Sequence, residues 1–233
     1  MINLSSIETL IKKNDVTGKD RWYPQAVELY KASIKMDENT DEIKRMRSNF
    51  AYSMQYLEYI EKQIDELKLS SVLISMLYKT YIITGVGIIE LLFVYILKKN
   101  EQWNQTEWLE YGNMVSNPKI INGETIRVET KICKRVSKYD MRMDLDSMIK
   151  KVEKKRIISI NHEVYPALKK LRQLRNRVHL QVGDGAYDHD YNEIGLNEIQ
   201  MMRRILYTIL TAPEICKYKN CFTFIYDSYQ KYK

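Results

Sequence analysis

The sequence predicts a mainly α-helical bundle with a single β interruption. Gly (8) and Pro (4) are scarce in 233 residues, so long stretches run without the residues that break helices. Apolar residues return at helical spacing across most of the chain. Hydrophobic residues at 45% and charged residues at 29% give the balance of a folded chain, not a disordered one.

Residues 1–20 are polar and mixed in charge, unlike a secretory signal. Within them Ser5-Ser6-Ile7-Glu8 reads as a helix start with a serine cap. From Trp22 to Ile34 a helix is expected, with Ala26, Val27, Leu29 and Tyr30 apolar and Pro24 in the first turn. Asp37 to Asn39 interrupt it. A second helix spans about residues 40–67. Phe50, Met54, Leu57 and Ile64 share its apolar side, and Glu58, Glu61, Lys62 and Asp65 its polar side.

Residues 81–97 are apolar except for Thr84 and Glu90, and Lys98-Lys99 follow. Crossing a bilayer takes roughly 17–25 apolar residues, so this run is at the short end. An ionised acid near its middle would cost on the order of 2.5 kcal/mol or more. Residues 69–80 continue the helical pattern with Ser and Lys79. The preferred reading is one long helix through the centre of a soluble bundle; a membrane anchor through 81–97 is the alternative.

Asn122-Gly123 is a strong signal for a tight hairpin, because both positions of that turn need positive φ. It separates Lys119-Ile120-Ile121 from a run in which Ile126, Val128, Thr130 and Ile132 alternate with Arg127, Glu129 and Lys131. This predicts an inserted β-hairpin around 117–133. Helices return at about 145–155, 163–181 and 196–212, and the tail (Phe222, Phe224, Ile225, Tyr226) is aromatic and β-prone. The implied organisation is an N-terminal helical extension (1–69), a core (70–213) and a C-terminal tail packing on it (214–233).

A net charge of +7 is compatible with a polyanionic partner. Cys133, Cys216 and Cys221 lack zinc-site spacing and read as thiols in a reducing cytoplasm. Asp184, Asp188, Asp190, Asn192 and Glu193 fail a calcium-loop register, because Glu193 and Ile199 stand where Gly and an acid are needed. They read as a solvated loop, with Asn192 or Asn197 capping the next helix. No Gly-rich phosphate loop, serine elbow or zinc helix occurs, so no metal or cofactor is expected. His162 and His189 fall in expected loops.

The chemistry concentrates on one helix. At about 100° per residue, with Arg172 at zero, Arg175 falls at about 300°, Asn176 at about 40° and His179 at about 340°. Leu171, Leu174 and Val178 form a separate apolar face at about 200–260°. An imidazole moves protons at neutral pH, and guanidinium forks suit phosphate oxygens. Asn176 can orient either group. Such a stripe fits RNA cleavage without metal, in which the ribose 2′-OH attacks its own phosphate and arginines hold the developing charge. One helix supplies one histidine; two copies across a twofold axis supply an acid and a base. From spacing alone, a histidine with arginines on a helix is more often a solvated face.

The string from Leu171 to Leu180 (Leu-Arg-Gln-Leu-Arg-Asn-Arg-Val-His-Leu) resembles the signature helix of the HEPN superfamily. There an arginine precedes a histidine within two turns, often with a polar residue directly after the arginine. Arg172 has the family spacing but is followed by Gln173; Arg175 is followed by Asn176 but stands one residue too near His179. Either arginine fits the role, and Glu90 on the apolar helix is the expected partner of one of them, since a buried carboxylate needs a counter-charge. The resemblance implies a dimerising helical bundle covering roughly 70–213. It also implies a metal-independent endoribonuclease of a bacterial toxin–antitoxin or abortive-infection type, leaving a 2′,3′-cyclic phosphate. The expected partners are RNA, a second copy and an antitoxin or defence-system protein. A non-catalytic HEPN-like binding or dimerisation module is the competing reading.

Overall fold

The computed structural model describes residues 23–176 and 193–231. The expected first helix at Ser5-Ser6, along with Val178, His179, the loop acids Asp184 to Asn192, and His189, lies outside the described residues.

Seven α-helices and one long β-ribbon follow in chain order among the described residues. They are α1 (Val27–Ala32), α2 (Asp41–Glu66), α3 (Ser71–Lys99), β1 (Gln105–Val115), β2 (Lys119–Ile121), β3 (Glu124–Ile126) and β4 (Glu129–Asp140). Then come α4 (Leu145–Lys155), α5 (Val164–Asn176), α6 (Leu196–Leu210), a 3-10 turn (Lys219–Phe222) and α7 (Thr223–Lys231).

Local chemistry sets the helix ends. Thr40 Oγ1 accepts from Ile43 N (3.3 Å) to open α2, and Asp144 Oδ1 accepts from Ser147 N (2.8 Å) to open α4. Arg156 closes α4 in the left-handed region at φ 49. Pro24 precedes α1 instead of sitting in its first turn, and α1 begins only at Val27. Asn197 lies inside α6, not at its cap. Gly195 holds the cap position, and its N–H donates to Glu198 Oε2 (3.2 Å).

The apolar α3 runs through the centre as one helix and packs against α2, α4, α5 and α6. Tyr81, Val86, Ile89, Leu92 and Phe93 are fully or almost fully enclosed. By length and composition α3 is also apolar enough to cross a membrane, and most of its apolar stretch is buried inside the bundle. Gly85 lets α6 approach. A Cβ there would lie 2.7 Å from Met202 Cε.

The segment read as an N-terminal extension shares this core, since Phe50, Met54, Leu57 and Ile60 of α2 are buried with the rest. A buried ion pair ties α2 to α6. Arg203 Nε and Nη2 donate to Glu61 Oε1 and Oε2 at 2.8 and 2.6 Å, and Tyr81 lays its ring 5.9 Å from the guanidinium. The tail forms the 3-10 turn and α7, not strands. Phe222 and Ile225 are buried, and α7 packs on α6 and α2. The aromatic residues of the tail suit a strand only where a sheet edge is at hand, and here a helix groove is what they meet.

The β-ribbon is longer than the expected 117–133. β1 pairs antiparallel with β4 from Gln105↔Asp140 to Val115↔Glu129, and β2 pairs with β3 beyond them. Asn122 (φ 51) and Gly123 (φ 81) form the tip with the positive φ values their sequence predicts. At the root, Trp103 Nε1 donates to Met141 O (2.9 Å) and Lys151 Nζ to Asn104 Oδ1 (2.5 Å). Past the root the strands are exposed almost throughout.

Candidate functional site

Helix α5 turns Leu168, Leu171 and Leu174 into the core, which leaves its cationic residues facing neighbouring helices. Arg175 Nη2 stands 3.1 Å from Glu90 Oε2 on α3, with both side chains about one-third exposed. Of the two arginines, Arg175 is the one that meets Glu90, and the carboxylate is part-exposed where a buried one was expected. Arg172 Nη2 instead lies 3.1 Å from Asp146 Oδ1 on α4. Lys150 Nζ approaches the other oxygen of Asp146 at 2.5 Å. The hydrogen bond from Lys150, followed by the charge of Arg172, holds the Asp146 carboxyl below its usual range.

Two further cations on α5 are paired outward, Lys169 with Glu153 of α4 (2.8 Å) and Lys170 with Glu198 of α6 (3.2 Å). So α5 is fastened by cation–carboxylate pairs to α3, α4 and α6. Sequence spacing places Arg172 and Arg175 in one stripe, but the structure points them at different neighbours. Asn176, the last described residue of α5, is exposed, and His179 lies outside the described residues. His162 occupies the turn before α5, as expected, with Nδ1 3.4 Å from Glu153 Oε1.

A shallow cleft of about 350 Å³ lies elsewhere, between α2 and α7, lined by Glu58, Glu61, Lys62, Asp65, Phe224 and Asp227 among others. It contains none of the stripe residues, and its lining of four carboxylates against two lysines does not suit an anion. The partly exposed surface around Arg175 suits a phosphate better than this cleft does. Sequence reasoning missed Asp146. The signal was available: it sits in the first turn of α4, where an acid is favoured by the helix dipole and free to face the next helix.

Comparison with protein-family models, with curated proteins and with solved structures finds no match for this chain.

Proposed function

We propose that the chain is a HEPN-type, metal-independent endoribonuclease. Arg175, Asn176 and His179 supply half of its site, and a second copy of the chain supplies the rest. The observation that carries this reading is the Glu90–Arg175 pair at 3.1 Å. The central apolar helix offers its acid to the arginine of the stripe, as the family resemblance implies. A guanidinium gripped on one edge is oriented and still has donors for a phosphate oxygen. It is also partly open to solvent, so a backbone phosphate can reach it.

In the proposed reaction His179 of one subunit takes the proton of the ribose 2′-OH. The oxygen attacks the adjacent phosphorus, and the bond to the 5′-oxygen of the next nucleotide breaks. The imidazolium of the second subunit protonates that leaving oxygen, which leaves a 2′,3′-cyclic phosphate. Arg175 stabilises the pentacovalent phosphorane, Asn176 orients it, and Arg172 is the second phosphate-holding candidate. The setting proposed is a cytoplasmic homodimer of a bacterial defence or toxin–antitoxin type, restrained by an antitoxin or defence-system partner.

A specific observation favours the competing reading of a non-catalytic binding or dimerisation module: both arginines already have carboxylate partners, as structural arginines do. Incubating purified protein with RNA in EDTA separates the two. The nuclease cleaves, leaves cyclic-phosphate ends, and loses at least about 100-fold in rate on His179→Ala. RNA left intact, or cut equally well by His179→Ala, refutes it in favour of the module.

A further inference from the structure

Positive charge gathers on the pair of helices that carries the stripe. Residues 145–176, from the start of α4 to the end of α5, hold nine Lys or Arg (150, 151, 154, 155, 156, 169, 170, 172, 175). They hold three Asp or Glu (146, 153, 163), so this stretch has a net charge of +6, against +7 for the whole sequence. Clustered cations on one side of a fold attract a polyanion.

The contacts between α4 and α5 set these cations in a row. α5 runs back along α4, because Arg172 meets Asp146 near the start of α4 and Lys169 meets Glu153 near its end. On α4, Asp146, Lys150 and Lys154 follow one another at one-turn intervals, about 6 Å apart, on the side toward α5. Lys150 and Arg172 approach the two oxygens of the one Asp146 carboxylate, at 2.5 and 3.1 Å. The seam therefore holds Lys150, Lys154, Lys169 and Arg172 around Asp146 and Glu153, an excess of two cations. The Lys150 side chain is 67% exposed. Lys154 is exposed too and forms no ion pair among the described residues. Past Arg172 the seam leads on to Asn176, at the end of α5.

What the seam lacks narrows the choice of polyanion. No large apolar side chain is exposed from Arg142 to Asn176. A helix that lies on an acidic membrane buries an apolar face among the lipids as well as pairing its charges, and none is offered here. A flexible strand of phosphates fits instead, since cations one turn apart can take neighbouring phosphates of one chain. A single strand can also turn its 2′-OH in line with the next phosphate on reaching the stripe, which a base-paired duplex prevents.

We infer that the seam between α4 and α5 is a track for single-stranded RNA, in which Lys150 and Lys154 hold phosphates on the strand leading to Arg172. This rests on the ribonuclease reading and gives its substrate a path outside the stripe.

The test is fluorescence anisotropy of a labelled single-stranded RNA whose 2′-hydroxyls are all methylated, so that it is bound and not cut. The full chain is titrated into it from about 50 to 200 mM salt. Lys150→Gln/Lys154→Gln should weaken binding about tenfold or more and reduce the slope of log affinity against log salt by about 1.4, or about 0.7 for each lost phosphate contact. Lys154→Gln alone, which breaks no ion pair among the described residues, should reduce the slope by about half as much. Lys62→Gln/Lys68→Gln removes the same charge at the end of α2 and should change affinity less than about twofold. Circular dichroism melts check that each variant stays folded. Unchanged binding by the seam variants overturns the inference, as does an equal loss from the α2 variant. So does a wild type that fails to bind the probe, or that prefers phosphatidylserine vesicles or polyglutamate to it. Cleavage of unmodified RNA is assayed separately. A chain that binds along the seam and leaves that RNA intact sinks the nuclease reading alone, and cleavage with unchanged KM in the seam variants sinks the track alone.

Discussion

Arg203 reaches from α6 to Glu61 on α2 with two parallel hydrogen bonds of 2.8 and 2.6 Å, and both side chains are buried. Tyr81 on α3 covers the pair. Three helices therefore meet around one enclosed charge pair, and removing a single partner leaves the other charge unpaired in the core. Glu61→Ala or Arg203→Met is expected to destabilise the protein by about 3–5 kcal/mol, whereas Glu61→Leu/Arg203→Met together recovers much of that. Urea unfolding of the three variants measures it.

The Glu90–Arg175 pair behaves differently, because both groups are partly open to water. Glu90→Gln is expected to change stability by no more than about 1 kcal/mol. It also releases the edge of Arg175 that orients it, so RNA cleavage should fall about tenfold or more while the unfolding midpoint barely moves. A stability loss of several kcal/mol with unchanged cleavage would show the pair to be a fastener only.

Gly85 of α3 stands close against Met202 of α6. Gly85→Leu is expected to cost about 1–3 kcal/mol through overpacking against Met202. Met202→Ala opens the space that the leucine needs. The double variant should then be more stable than the sum of the two singles by about 1 kcal/mol or more, read from a double-mutant cycle.

Burial, and then the hydrogen bond its hydroxyl donates to Glu58 Oε2 (2.7 Å), push the Tyr30 phenol well above the usual tyrosine range. Burial also raises Tyr81. In the folded chain these phenols keep their protons at a pH where the unfolded chain has lost them. Their contribution to stability is full below pH of about 10 and declines as pH rises through and beyond that value. Alkaline titration at the tyrosinate absorbance band should show a group of tyrosines that ionise only as the helical signal is lost, and Tyr30→Phe should make that loss less steep.

The helices were legible because their apolar spacing coincides with strong local signals. The helices expected from about 40 and about 145 start where Thr40 and Asp144 cap them, and residues 81–97 read as a central helix that the structure encloses. The hairpin tip was legible for the same reason, since Asn122-Gly123 has few other uses. The extent of the ribbon was not. Gln105 to Val115 mixes Trp108, Leu109 and Tyr111 without clean alternation, and the register shifts at Thr106/Trp108 and Glu110/Gly112 explain why. The form of the tail was not legible, because Phe222, Phe224, Ile225 and Tyr226 favour strands intrinsically while tertiary packing on α6 decides for a helix. At the site, the helical wheel put Arg172 and Arg175 in one stripe correctly in angle. It could not show that Asp146 and Glu90 draw them to different helices.

Single-turnover cleavage of a labelled RNA in EDTA, followed across a wide range of protein concentration, tests the shared site most directly. The rate per chain should rise steeply where subunits associate and then level off, with 2′,3′-cyclic phosphate on the products and almost no reaction from Arg175→Ala or His179→Ala. A rate that is zero at every concentration, or that neither substitution lowers, contradicts it.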